Sequence, residues 1–91
     1  MKLSAELAQN IVKSSMEIID ENINIVDENG IILASGNNSR VNTFHEPSLD
    51  VIRTGKIVEI NKSQSSQLDG VLPGISLPIT LGGKIIGVVG I

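Results

Sequence analysis

Two β-branched apolar runs on either side of an Asn-Gly pair constrain this chain more than any other feature. Ile23-Asn24-Ile25-Val26-Asp27 leads through Glu28 into Asn29-Gly30, and Ile31-Ile32-Leu33-Ala34-Ser35 follows. Asn-Gly is the strongest short hairpin signal, because a type I′ turn needs positive φ at both central residues. The segment therefore predicts two antiparallel strands. A second such pair closes the chain: Ile75 to Leu81, flanked by Pro73-Gly74 and Gly82-Gly83, then Ile85 to Ile91. Pro78 has no N–H for a ladder, which puts it at an edge or a bulge. Gly82-Gly83-Lys84 superficially resembles a phosphate loop. It lacks the preceding glycine spacing, the hydroxyl after the lysine and a following helix, so it predicts a hairpin turn.

Helical spacing appears between Leu3 and Ile19, where apolar residues recur at Leu7, Ile11 and Ile18 and again at Ala8, Val12, Met16 and Ile19. Ser4 suits the N-cap, and Leu7 three residues on leaves no reciprocal capping box. A second helix begins after the polar Gly36 to Asn42 segment. Thr43 and Glu46 have capping-box spacing, whereas Pro47 fits best as the first helical residue. Leu49 and Ile52 face the core, and Gly55 stops the helix. Ile57 to Ile60 predicts a short strand, and residues 61–70, with almost nothing apolar to bury, predict a surface loop. The order of elements makes an α+β fold: a PAS-like antiparallel sheet of about five strands flanked by helices. The chain is expected to be one domain, 1–91, cut from a longer polypeptide, because it stops within an apolar strand.

Composition removes several function classes. The chain has 91 residues, a formal net charge of -3 and seven scattered basic residues. With Phe44 as its only aromatic residue, it has little to stack on bases and no basic stripe for phosphates. There is no cysteine, hence no disulfide, thiolate metal site or thiol nucleophile. A metal site would need one imidazole plus carboxylates, and Asp20, Asp27, Asp50 and Asp69 show no ligand spacing. No Gly-x-Ser-x-Gly elbow is present. No enzymatic activity, cofactor or metal is expected. No signal peptide pattern and no apolar run near the ~20 residues of a membrane span occur, which predicts a cytoplasmic protein without membrane contact.

One cluster carries chemistry. Arg40 and His45 are the only cationic side chains between Lys13 and Arg53, and they flank the entry to the second helix. A guanidinium grips a carboxylate with two parallel hydrogen bonds, an imidazole adds a third, and the helix start contributes free N–H groups. Ser35, Asn37, Asn38, Ser39, Asn42 and Thr43 add uncharged donors and acceptors suited to hydroxyl groups. The competing reading is an ordinary polar loop in which His45 merely caps a helix.

Ala8 to Val12, Ile18 to Asp27, Gly30 to Gly36, Arg40-Val41, His45-Glu46, Gly70 to Pro78 and Gly87 to Ile91 together resemble the sugar diacid recognition domain of bacterial transcription regulators, nearly end to end. The resemblance implies a ligand-sensing domain for a small hydroxy-carboxylate such as glucarate, galactarate or glycerate. It also implies that DNA is touched only by a separate C-terminal helix-turn-helix domain. A weaker similarity to PAS-like dicarboxylate and citrate sensors implies ligand contacts from Arg40 and His45. Those sensors carry a basic residue on a later strand, where this chain reads Gly74-Ile75-Ser76-Leu77 without charge. A second carboxylate then has no cationic partner there and is left to backbone N–H groups at Pro73-Gly74-Ile75, to Ser76, to Lys56 or to nothing, so a monocarboxylate is easier to accommodate than a diacid. With Ser35 and Asn37 from the polar loop, Gly74, Ile75 and Ser76 complete the expected ligand contacts. The alternative function is a dimerisation or interaction module without a small-molecule ligand. A homodimer through the Leu7, Ile11 and Ile18 face of the first helix is expected.

Overall fold

A computed structural model describes residues 3–67 and 72–91. The elements run α1 (Ala5–Met16), β1 (Asn24–Asp27), β2 (Ile32–Ser35), a 3₁₀ turn (Asn38–Arg40), α2 (Glu46–Thr54), β3 (Val58–Ile60), α3 (Lys62–Ser65), β4 (Gly74–Leu81) and β5 (Lys84–Gly90). All strand pairs are antiparallel, in the order β2-β1-β5-β4-β3. The five-stranded α+β architecture read from the sequence is the one observed, with a helix on each face.

The two hairpins are made differently. At Gly82-Gly83 both φ angles are positive, 57° and 77°, and Leu81 pairs with Lys84, the type I′ geometry. At Asn29-Gly30 only Gly30 is left-handed, with φ 82°. There the Gly30 N–H donates to the Asp27 carbonyl at 3.1 Å, and Asp27 Oδ1 accepts from Asn29 N and Ile31 N at 2.8 and 3.0 Å. The expected I′ turn is therefore a type I turn closed by a left-handed glycine. Asp27, capping two amides with its own carboxylate, accounts for the difference.

The helices depart from expectation at their ends. Ser4 Oγ caps α1 by accepting from Leu7 N at 3.0 Å. The helix stops at Met16, short of Ile19, where the Ser15 carbonyl accepts from both Ile18 N and Ile19 N. Helix α2 has His45 as N-cap, with no side-chain cap bond, and Pro47 is its second residue. The Thr43-Glu46 capping box does not form, because Thr43 Oγ1 bonds the Arg40 carbonyl instead. Gly55 ends α2 in the left-handed conformation with φ 71°, as expected. Residues 61–67 are not a plain loop. A genuine capping box joins Asn61 and Gln64, each side chain accepting from the other's backbone N–H at 2.9 Å, and starts the single turn of α3. The rest of that predicted loop, with Gly70-Val71, lies outside the described residues.

Alternation sorts the sheet into two faces. Ala34, Ile25 and Val89 face α1 and pack on Ala8 and Val12. On the opposite face Ile32, Val26 and Val88 form an apolar rung beneath Val51 of α2. Ile32 and Ser35 are three residues apart and share this face only because the register shift between β1 and β2 leaves Leu33 as an extra residue. Pro78 of β4 pairs with Val88; β3 begins at Val58, opposite Ser76, so β4 has an open side at Pro78.

Candidate ligand pocket

One rung along from Val26 and Val88, the same face turns polar. Ser35, Asn24, Gly90 and Ser76 lie side by side across β2, β1, β5 and β4. Asn24, Gly90 and Ser76 of this row floor a pocket of about 780 Å³, within the range usual for small-molecule sites. Arg40 and His45 form one wall; Glu21, Asn22, Glu59 and the ends of β3, β4 and β5 form the rest.

The wall is held by backbone. Ile32 N donates to Thr43 O at 2.9 Å and Asn42 N to Ile32 O at 2.8 Å, while Asn42 takes a left-handed φ of 69°. His45 N donates to the Gly30 carbonyl at 2.7 Å. These bonds tie the Arg40 to His45 segment along the outer edge of β2 and aim it over the sheet. His45 is 8% exposed, and its Nδ1 lies 2.7 Å from Ser48 Oγ, itself fully buried. Burial first, and the neighbouring Arg40 charge second, hold the His45 pKa below the ordinary value of 6.5. The neutral form of the imidazole is therefore favoured, with Nδ1 turned to Ser48 and the residue lining the pocket.

The floor carries groups with unused hydrogen-bonding capacity. Asn24 Oδ1 accepts from Ser35 Oγ at 2.6 Å and from Asn22 Nδ2 at 3.1 Å, and Ser35 Oγ in turn accepts from Asn37 N at 3.0 Å. Two donors on Oδ1 fix the amide orientation and leave Nδ2 toward the pocket. Asn24 is 9% exposed and Ser76 5%, yet neither Asn24 Nδ2 nor Ser76 Oγ has a hydrogen-bond partner among the described residues. No described polar side-chain atom is both fully buried and unpartnered, so both atoms reach the open pocket.

Of the residues singled out in the sequence, Arg40, His45, Gly74, Ile75 and Ser76 come together around the pocket. Ser35, Asn37, Asn38, Ser39, Asn42 and Thr43 line no part of it. Ser35 stands behind Asn24, and Asn37 caps the 3₁₀ turn by accepting from Ser39 N. The Ile75 N–H is used by the Ile91 carbonyl at 3.0 Å, so it has no bond to offer an anion. Asn22, Asn24, Glu21, Glu59 and Gly90 escaped sequence reasoning. The available signal was Asn22-x-Asn24, a same-face polar pair at the start of a β-branched strand. Among the described residues no three His, Asp or Glu side chains are grouped to hold a metal ion. No described helix is long and apolar enough to cross a membrane.

Residues 3–91 match the model of the family described as sugar diacid recognition. The chain belongs to this family. The recognition domain is 43% identical over 89 residues to the carbohydrate diacid regulator of Escherichia coli K12, covering 98% of the chain and 23% of that protein. It is 41% identical to an uncharacterized protein of Haemophilus influenzae, covering the whole chain and 25% of that relative. The domain thus spans about a quarter of the length of these curated relatives. The GAF domain of an Acinetobacter phosphoenolpyruvate-protein phosphotransferase superposes with a TM-score of 0.69 at 17% identity, over 98% of this chain and 66% of that one. At that identity the likeness speaks for the fold, the PAS-like antiparallel sheet with flanking helices, and for nothing finer.

Proposed function

We propose that this recognition domain is a non-catalytic cytoplasmic sensor that binds one small hydroxy-carboxylate, such as glucarate, galactarate or glycerate. Its occupancy is relayed to a separate DNA-binding domain of the regulator. The observation that carries the reading is the pairing of Arg40 and His45 on one wall with the polar floor. A carboxylate takes the charged wall, and hydroxyls take the neutral donors and acceptors. Glu21 and Glu59 on the remaining walls accept from hydroxyls and repel a second carboxylate, which favours glycerate over the diacids. Signalling requires that the acid bind one arrangement of the domain better than another.

Calorimetric titration with the three acids tests this. Saturable binding is expected, weakened about tenfold or more in Arg40→Ala, the loss of a charge-assisted hydrogen bond. Native affinity in that variant would remove the anion site.

Homodimerisation is supported by a separate observation. Leu7 and Ile11 are 41% and 36% exposed, so the outer stripe of α1 stays uncovered by its own sheet, whereas Ile18, expected on the same face, lies beyond the end of the helix. Sedimentation is expected to show a concentration-dependent dimer that Leu7→Glu converts to monomer; a monomer at all concentrations overturns it.

A further inference from the structure

Gly90 interrupts the polar floor without a steric reason. Among the glycines of β4 and β5, Gly74 and Gly87 have no room for a side chain: a Cβ at Gly74 would lie 2.5 Å from the Ile91 carbonyl oxygen, and one at Gly87 would lie 2.6 Å from that of Val26. These two are required by close backbone approach. Gly90 differs. A Cβ there would meet nothing nearer than 3.8 Å, and its φ is not in the left-handed region, so the backbone accepts a side chain at that position. What a side chain would take away is space inside the pocket.

That space lies between the two unpartnered floor groups. The point where a Gly90 Cβ would stand is 3.9 Å from Asn24 Nδ2 and 3.9 Å from Ser76 Oγ. Both residues are more than nine-tenths buried, and the unpartnered atom of each is a part that opens to the pocket, where a ligand can bond it. Their chemistry is complementary. Asn24 offers only a donor, Nδ2, because its acceptor Oδ1 is held by Ser35 and Asn22. Ser76 Oγ donates or accepts. Together they suit a group that accepts on one side and donates on the other, which is a hydroxyl and not a methylene.

We propose that the gap over Gly90 is a hydroxyl-recognition subsite: the hydroxylated carbons of the bound acid lie against the bare Gly90 backbone, with their oxygens bonded to Asn24 Nδ2 and Ser76 Oγ. This rests on the carboxylate reading of the Arg40 and His45 wall and adds what selects a hydroxy acid over a plain one. Gly90 is then a specificity residue, through the side chain it lacks.

The test compares each hydroxy acid with its deoxy counterpart, glucarate with adipate and glycerate with propionate, by calorimetry on the native domain and on Gly90→Ala, Ser76→Ala and Arg40→Ala. The native domain is expected to prefer the hydroxy acid. Ser76→Ala should lower its affinity about tenfold, the loss of one hydrogen bond, and leave the deoxy acid nearly unchanged, while Gly90→Ala, by filling the space over the floor, should weaken the hydroxy acid at least as much. Arg40→Ala should weaken both acids alike. If a folded Gly90→Ala and Ser76→Ala bind the hydroxy acid as the native domain does while Arg40→Ala does not, the subsite is wrong and the anion site stands. If the native domain binds none of the acids, both readings fail. Should Gly90→Ala melt early, Ser76→Ala decides alone, and native selectivity in it overturns the subsite.

Discussion

Ile25→Ala is expected to destabilise the domain by about 3 kcal/mol, within the usual range for truncating a fully buried Ile. Ile25 lies on β1 between Ala34 of β2 and Val89 of β5, and it packs beneath Ala8 and Val12 of α1. It is 1% exposed, and its neighbours on this face include two alanines, which leave little side-chain mass to fill the vacated space. A chain of 91 residues has a total stability of only roughly 5–14 kcal/mol. The substitution therefore removes a large share of it. Thermal midpoints should fall by roughly 12–24 °C, from 4–8 °C per kcal/mol for a domain near this size. Ile18→Ala is the control, since Ile18 lies almost wholly in solvent, and its effect should stay within about 0.5 kcal/mol. A midpoint for Ile25→Ala within 3 °C of native, measured by circular dichroism, would mean that this face does not pack around β1 as described.

Much of that core was legible because its signal is local. Ile23-Asn24-Ile25-Val26 alternates at the period of a strand, and Gly82-Gly83 between two apolar runs permits few structures other than a tight hairpin. Less local features were not legible. The Asn29-Gly30 pair announced a hairpin correctly, and the turn type depended on Asp27 folding its carboxylate back over two amides. The extra residue at Leu33, which puts Ile32 and Ser35 on one face, depends on the partner strand's register. Val51 and Ser48 are the fully buried residues of α2, where the spacing predicts Leu49 and Ile52, because a nine-residue helix offers too few turns to fix which stripe faces inward.

The pocket divides the same way. Arg40 and His45 are close in sequence and scarce in type, so their pairing stood out. The floor is assembled from three strands, with Asn24, Gly90 and Ser76 neighbours only through the order β1-β5-β4. No sequence spacing brings those three together. Ser35 and Asn37 are near Arg40 in sequence, and the hydrogen bonds through Asn24 show that they support the floor from behind.

Arg40→Glu is expected to abolish measurable carboxylate binding. Removing a charge-assisted hydrogen bond costs about 1.5–3 kcal/mol. Reversing the charge adds repulsion of about 4 kcal/mol for like charges ~4 Å apart at an effective dielectric near 20, before screening by salt. Together these exceed a thousandfold in affinity. The same change has a second signature in the unliganded domain, and its sign is fixed. Burial and the Arg40 charge both depress the His45 pKa. Substitution leaves the burial and reverses the charge, so the ring should titrate at higher pH than in the native domain. His45 is the sole histidine, and its NMR titration is free of overlap. Because the native pKa is depressed, stability from the neutral ring is present above 6.5 and is lost as pH falls below it. The variant should therefore lose less stability than the native domain between pH 7.5 and 5.5. A His45 titration that shifts down, or a variant that still binds the acids with native affinity, would separate Arg40 from His45 and dismantle the charged wall; the paired result, binding lost and the titration moved up, would fix both groups in one anion site.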